Sequence, residues 1–191
     1  MEYELMIPPF EHQGFKGLNG KQVKEYFQWY IRQIDYRIEV LNKYLLSQGE
    51  KIDFNYSPES LIPLWEWYER NIIIENKTEE ELISEFNKYP EWMKDEISHT
   101  KISIQTLKFG MDIAIYFAQV IIKNSSGKID WGYFTKPKNM MSVNQPVLLG
   151  FKANMDLNPR LIIINCTRHS SEEKDNMRLY QMYKTWMEYV D

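Results

Sequence analysis

Apolar positions recur at helical spacing over much of the chain. From Asn19 to about Leu46, the residues Val23, Phe27, Tyr30, Ile31, Ile34, Ile38, Leu41 and Leu45 fall on one face of a long helix. Asn19 and Gln22 form a capping-box pattern at its start, and Gly49 stands where it should end. Trp29, Tyr36 and Val40 gather on a second side, so this helix meets two neighbours, or one neighbour and a partner. Ser57-Pro58-Glu59 predicts a second helix to about Asn71, with Ser57 as its cap and Leu61, Leu64, Trp65 and Tyr68 on one face. Trp67 lies about 200° around the axis from Trp65, against a loop or the first helix. Thr78-Glu79-Glu80-Glu81 opens a short helix to Lys88, its acids complementing the helix dipole. Pro90 closes that element, and Trp92 follows in a turn.

The next helix, about Thr100 to Lys123, is apolar nearly all round, which predicts burial by several partners. Only Gln105, Lys108, Asp112, Gln119 and Lys123 form a polar strip. Gly110 costs up to about 1 kcal/mol of helix stability relative to Ala, which close approach of another backbone would explain. Ile129–Phe134, Val147–Phe151 and Leu161–Cys166 read as three strands, and Ser170 with Glu173 as the start of a final helix. Before the first helix, residues 1–18 read as an irregular arm, with a short edge strand through Tyr3, Leu5 and Ile7. The predicted class is α+β: N-terminal helices, a central buried helix, a small three-stranded antiparallel sheet and a C-terminal amphipathic helix. It is read as one domain over residues 1–191, with a subdivision into a helical half (1–97) and a helix–sheet–helix half (98–191).

Composition narrows the chemistry. Of 191 residues, 23 are Lys or Arg and 27 are Asp or Glu, a net charge of −4 that argues against nucleic acid as a partner. One cysteine, Cys166, excludes an internal disulfide framework and a cysteine-based zinc site. The N-terminal residues carry no signal-peptide pattern and no run reaches membrane-span length, so a soluble cytoplasmic protein is expected. No HExxH, glycine-rich phosphate loop or GxSxG elbow occurs, and neither a metal nor a cofactor is expected. Cys166 and His169 could form a nucleophilic pair, although a small buried cysteine at a strand end explains Cys166 more simply. Aromatic residues make up 15% of the chain, in a ring-rich core or in a recognition surface.

Two sets of residues are candidates for function. Trp29, Tyr36 and Trp67 are candidate aromatic anchors for a protein partner. Asp112, Tyr116, Asn144 and Gln145 are the alternative, lining a cleft between the central helix and the sheet in an enzyme or small-ligand binder. Asp112 is a base or ligand contact in that reading, and an exposed partner of Lys108 in the simpler one. Arg37, close to the core face, either pairs internally or reaches past the face edge to water. The loop Thr135–Pro146, with Lys136, Lys138, Asn139, Asn144 and Gln145 beside Met140 and Met141, is the best surface candidate.

Three groups of segments carry a resemblance. They are Lys24-Glu25-Tyr26-Phe27-Gln28-Trp29 with Arg37 and Leu41; Ser57-Pro58-Glu59-Ser60-Leu61 with Leu64-Trp65; and Gly110-Met111-Asp112 with Tyr116, Trp131, Asn144-Gln145-Pro146 and Asn158-Pro159. Together they look like a loose group of uncharacterised bacterial proteins, which brings no catalytic residues. The general style resembles immunity proteins of bacterial toxin systems. The resemblance implies a non-enzymatic, protein-binding domain of the immunity type, an inhibitor of a bacterial toxin. The sequence does not set an oligomeric state.

Overall fold

The first helix begins as its capping box predicts. Asn19 Oδ1 accepts from Gln22 N–H at 3.0 Å, and Gln22 Oε1 accepts from Asn19 N–H at 3.1 Å. A computed structural model describes residues 3–190, so the first two residues of the N-terminal arm lie outside it. Helix α1 spans Gly20–Ser47 and buries Val23, Tyr26, Tyr30, Ile34, Arg37, Ile38, Leu41 and Leu45. The second helix differs at its start. The Ser57 side chain makes no cap; its carbonyl accepts from Ser60 N–H in a 3-10 turn over Pro58–Ser60, and α2 then runs Leu61–Arg70. The predicted edge strand through Tyr3, Leu5 and Ile7 is absent: residues 3–8 are irregular, held by side chains and not by a ladder.

Helix α4, Ile104–Asn124, is the structural centre. It starts later than predicted. Ser103 Oγ accepts from Thr106 N–H at 3.1 Å as the cap, and the three residues before it form a strand. Twelve of its residues are buried, and fully burying each large aliphatic or aromatic side chain contributes roughly 1.5–3 kcal/mol. Side chains from α1, α2 and the C-terminal helices join it in one apolar cluster, so residues on both sides of position 97 share a core. At Gly110 the close neighbour is a pair of side chains and not a backbone: a Cβ there would meet Tyr68 Oη at 2.9 Å and Ile163 Cγ2 at 3.3 Å.

The sheet is not three-stranded. Two separate antiparallel ribbons occur: β1 (Ile74–Asn76) with β2 (Thr100–Ile102), and β3 (Asp130–Gly132) with β4 (Val147–Leu149). A third strand beside β4 shrinks to one bridge, Leu157 to Leu148. Gly150 follows β4 at φ +109°, where a Cβ would strike Lys128 O at 2.2 Å. The run Leu161–Cys166, predicted as a strand, lies in helix α5 (Pro159–Glu172). Asn158 Oδ1 caps it by accepting from Leu161 N–H at 3.2 Å, and Pro159 takes the first helical position. A short β-branched run fits either state, and Asn-Pro, read as strand punctuation, is a helix start here. Ser170 therefore does not cap the last helix. It lies inside α5 and donates to Glu69, while α6 begins at Arg178 and runs to Met187.

One part of the chain stands outside the core. Residues 73–103 hold β1, helix α3 (Glu79–Phe86), a 3-10 turn over Glu91–Glu96, and β2. Helix α3 is capped as predicted, with Thr78 Oγ1 and Glu81 exchanging hydrogen bonds. Only Ile97 and Ser103 are buried in this lobe, and none of its residues belongs to the central apolar cluster. It is held instead by the β1–β2 ribbon and by ion pairs of Lys77 with Glu85 and Lys101 with Glu81.

Candidate functional site

The three predicted aromatic anchors do not form a free surface. Trp67 is 3% exposed and packs edge-on against Tyr44 and Phe109. Trp29 is half-buried against Tyr26. Tyr36 is exposed, and its hydroxyl donates to Glu4 of the N-terminal arm at 2.7 Å.

The four cleft candidates lie in three separate surroundings. Asp112 is fully buried, not exposed beside Lys108; it is joined to Arg37, and Tyr3 donates to the same carboxylate. Arg37 thus pairs internally and also donates to Glu4 O at 2.9 Å. Burial pushes the Asp112 carboxyl up, against the opposite pull of Arg37 and the Tyr3 hydroxyl. Tyr116 lies elsewhere, bonded to Ser60 Oγ at 2.7 Å and accepting from Tyr56 N–H at 3.1 Å. Asn144 and Gln145 are buried, which corrects the reading of their loop as surface. Asn144 Nδ2 donates to Phe15 O at 2.8 Å, and Gln145 Oε1 accepts from Asn158 at 3.0 Å and from Arg160 at 2.9 Å. Met140 and Met141 of that loop do stand exposed.

Cys166 is buried in α5, and burial pushes its thiol up to about 11, the opposite of nucleophile activation. Its partner candidate, His169, is exposed. Among the described residues no group of three His, Cys, Asp or Glu is placed to hold a metal ion, and no helix is long and apolar enough to cross a membrane.

A groove of about 990 Å³ lies between the lobe and the body. Its apolar lining includes Ile74 and Tyr89 from the lobe, Ile104 and Leu107 from the first turn of α4, and Ile164 from α5. Seven of the fourteen large apolar side chains that stand exposed among the described residues fall between positions 73 and 107, which makes this the main unpartnered apolar region. Ile104 alone is 66% exposed. The rim is acidic. Glu81 and Glu85 are neutralised by lysines, while Glu96 and Glu172 have no ion-pair partner among the described residues. Residues 73–103 carry eight acids against four lysines, leaving nineteen of each sign elsewhere, so the lobe holds the whole net charge. Sequence reasoning missed this site because Glu79, Glu80 and Glu81 were explained by the helix start alone and the other five acids of the segment were not weighed with them. The uneven division of charge was visible in the sequence and is the signal that would have found it.

No family model, no curated protein and no solved structure matches the chain.

Proposed function

We propose that the protein is a binding module whose groove takes a basic amphipathic segment of a partner protein. The observation that carries this reading is the coincidence of a wide groove, half of the large apolar side chains exposed among the described residues (positions 73–107), and a groove wall, the lobe of residues 73–103, that holds the entire net negative charge. Ile104 and Leu107 are its apolar anchors, and the rim acids steer a cationic partner and disfavour acidic ones. The same acids disfavour a nucleic-acid phosphate backbone. A role of the immunity type, covering a basic face of a toxin, fits this chemistry. The alternative of a catalytic or small-ligand cleft between α4 and the sheet loses support, because its four candidate residues do not face one hollow.

The test is affinity capture from the native host, run beside the double variant Ile104→Glu/Leu107→Glu. Both positions are exposed and lie in the first turn of α4, where an acid suits the helix dipole, so the melting temperature should hold. The reading expects a protein with a basic amphipathic segment that is retained by the wild type, released by salt and lost from the variant. A labelled Leu/Lys amphipathic helical peptide should bind, and its Leu/Glu counterpart should not. A partner held equally by both proteins, or equal binding of the two peptides, overturns it.

A further inference from the structure

A second, smaller hollow shares no residue with the groove. It is walled by Tyr26 and Tyr30 of α1, Met111 of α4, Gln145, and Asn158 and Arg160 at the start of α5. Its free space is about 10 Å³, enough for one water-sized group. Tyr30 is 4% exposed, and its hydroxyl makes no hydrogen bond among the described residues. The hydroxyl of Tyr26, a residue 6% exposed, has none either.

The third donor is Arg160. No carboxylate of the described residues comes within ion-pair distance of it. One guanidinium nitrogen donates to Gln145 Oε1, and the group lies over the Phe15 ring at 5.8 Å. Gln145 Oε1 already accepts from Asn158 as well, so it offers little acceptor capacity to anything new. The polar lining is therefore two phenols, a guanidinium and the amides of Gln145 and Asn158, at the N-terminal end of a 14-residue helix.

We propose that this hollow binds a carboxylate. One carboxylate oxygen enters between the two tyrosine hydroxyls, and the other stays at the mouth against Arg160. A water could occupy the same space but would leave the arginine without a counter-charge. A phosphate is the poorer fit: it is larger and carries more charge than one guanidinium balances. The carboxylate can come from a small free acid or from an acidic side chain of a partner.

Formate, acetate and a doubly blocked glutamate are the probes, titrated by calorimetry and thermal melting against chloride and phosphate at equal ionic strength. The expected result is saturable binding of formate and acetate, weakened at least tenfold by Arg160→Gln and by Tyr30→Phe. Tyr30→Phe should melt no lower than the wild type, because its hydroxyl has no partner to lose. Binding of the blocked glutamate as well assigns the site to a partner's side chain, and its failure assigns it to free acids. If formate and acetate act no differently from chloride, or if Tyr30→Phe binds them undiminished, the assignment is wrong. Neither outcome bears on the groove, whose variants are elsewhere.

Discussion

Arg37 meets Asp112 side-on: Nε donates to Oδ1 at 2.8 Å and Nη2 to Oδ2 at 2.6 Å, with both side chains almost wholly out of water. Tyr3, 109 residues from Asp112 in sequence, donates to the same carboxylate. The cluster ties the N-terminal arm to α1 and α4. None of its three side chains lines the groove or the smaller hollow, and what it does is hold those three segments together.

Breaking that pair from one side should be severe. Arg37→Met or Asp112→Leu alone strands a buried charge or leaves its partners unmet, an expected loss of about 3–5 kcal/mol in urea denaturation. The double variant should recover most of it, since desolvation already offsets much of what the pair contributes. Tyr3→Phe removes one hydrogen bond to a charged acceptor and should cost about 1.5–3 kcal/mol. Equal losses in the single and double variants would disprove the coupling.

Gly110→Ala sets helix propensity against space. The gain is up to about 1 kcal/mol, while overpacking costs about 1–3 kcal/mol. Tyr68 Oη cannot yield freely, because it is bonded to Thr167 Oγ1 at 2.9 Å. A net loss of roughly 1 kcal/mol is expected, reduced in Gly110→Ala/Tyr68→Phe. A stabilised single variant would show that the ring moves without cost.

Hydrogen exchange should divide the chain. Amides of residues 73–103 should exchange by local opening, far faster than those of α1 and α4, because the lobe adds almost nothing to the core. Protection equal to that of α4 would mean that the lobe opens only with the whole fold.

Alkaline pH should weaken the fold. Burial raises the hydroxyl pKa values of Tyr26, Tyr30, Tyr68 and Tyr116, and holds the Cys166 thiol at about 11. The unfolded chain releases these protons near pH 8.5 for cysteine and 10 for tyrosine. Above about pH 9 the native state therefore binds more protons than the unfolded state, and stability falls as pH rises. Urea midpoints from pH 7 to 11 check this; a flat profile would refute it. Cys166 should also resist alkylation at pH 8 until the protein is unfolded.

The helical half of this fold was legible from spacing and caps. Asn19 with Gln22 and Thr78 with Glu81 act as their sequence patterns say. The three-stranded sheet failed at Leu161–Cys166, where period alone cannot separate a buried strand from a buried helix, and where Pro159 was read without its cap, Asn158. Arg37 and Asp112 were each singled out as odd, but their meeting is a tertiary fact that no local pattern carries. Asn144 and Gln145 looked like surface amides because their partners, Phe15 O, Asn158 and Arg160, are remote or lie beyond a turn. Trp67 was separable from the α2 core face by angle, and the first helix covers it with Tyr44.

The lobe leaves the body and returns to it one hydrogen bond apart, from Ser103 N–H to Ile73 O at 3.0 Å. A segment inserted through so narrow a neck can be exchanged, lengthened or excised and bridged by a tight turn while the helices beneath it keep their arrangement. If the groove binds as proposed, what it takes is separable from what holds the helices together, and a change in the one need not be tested first against the survival of the other.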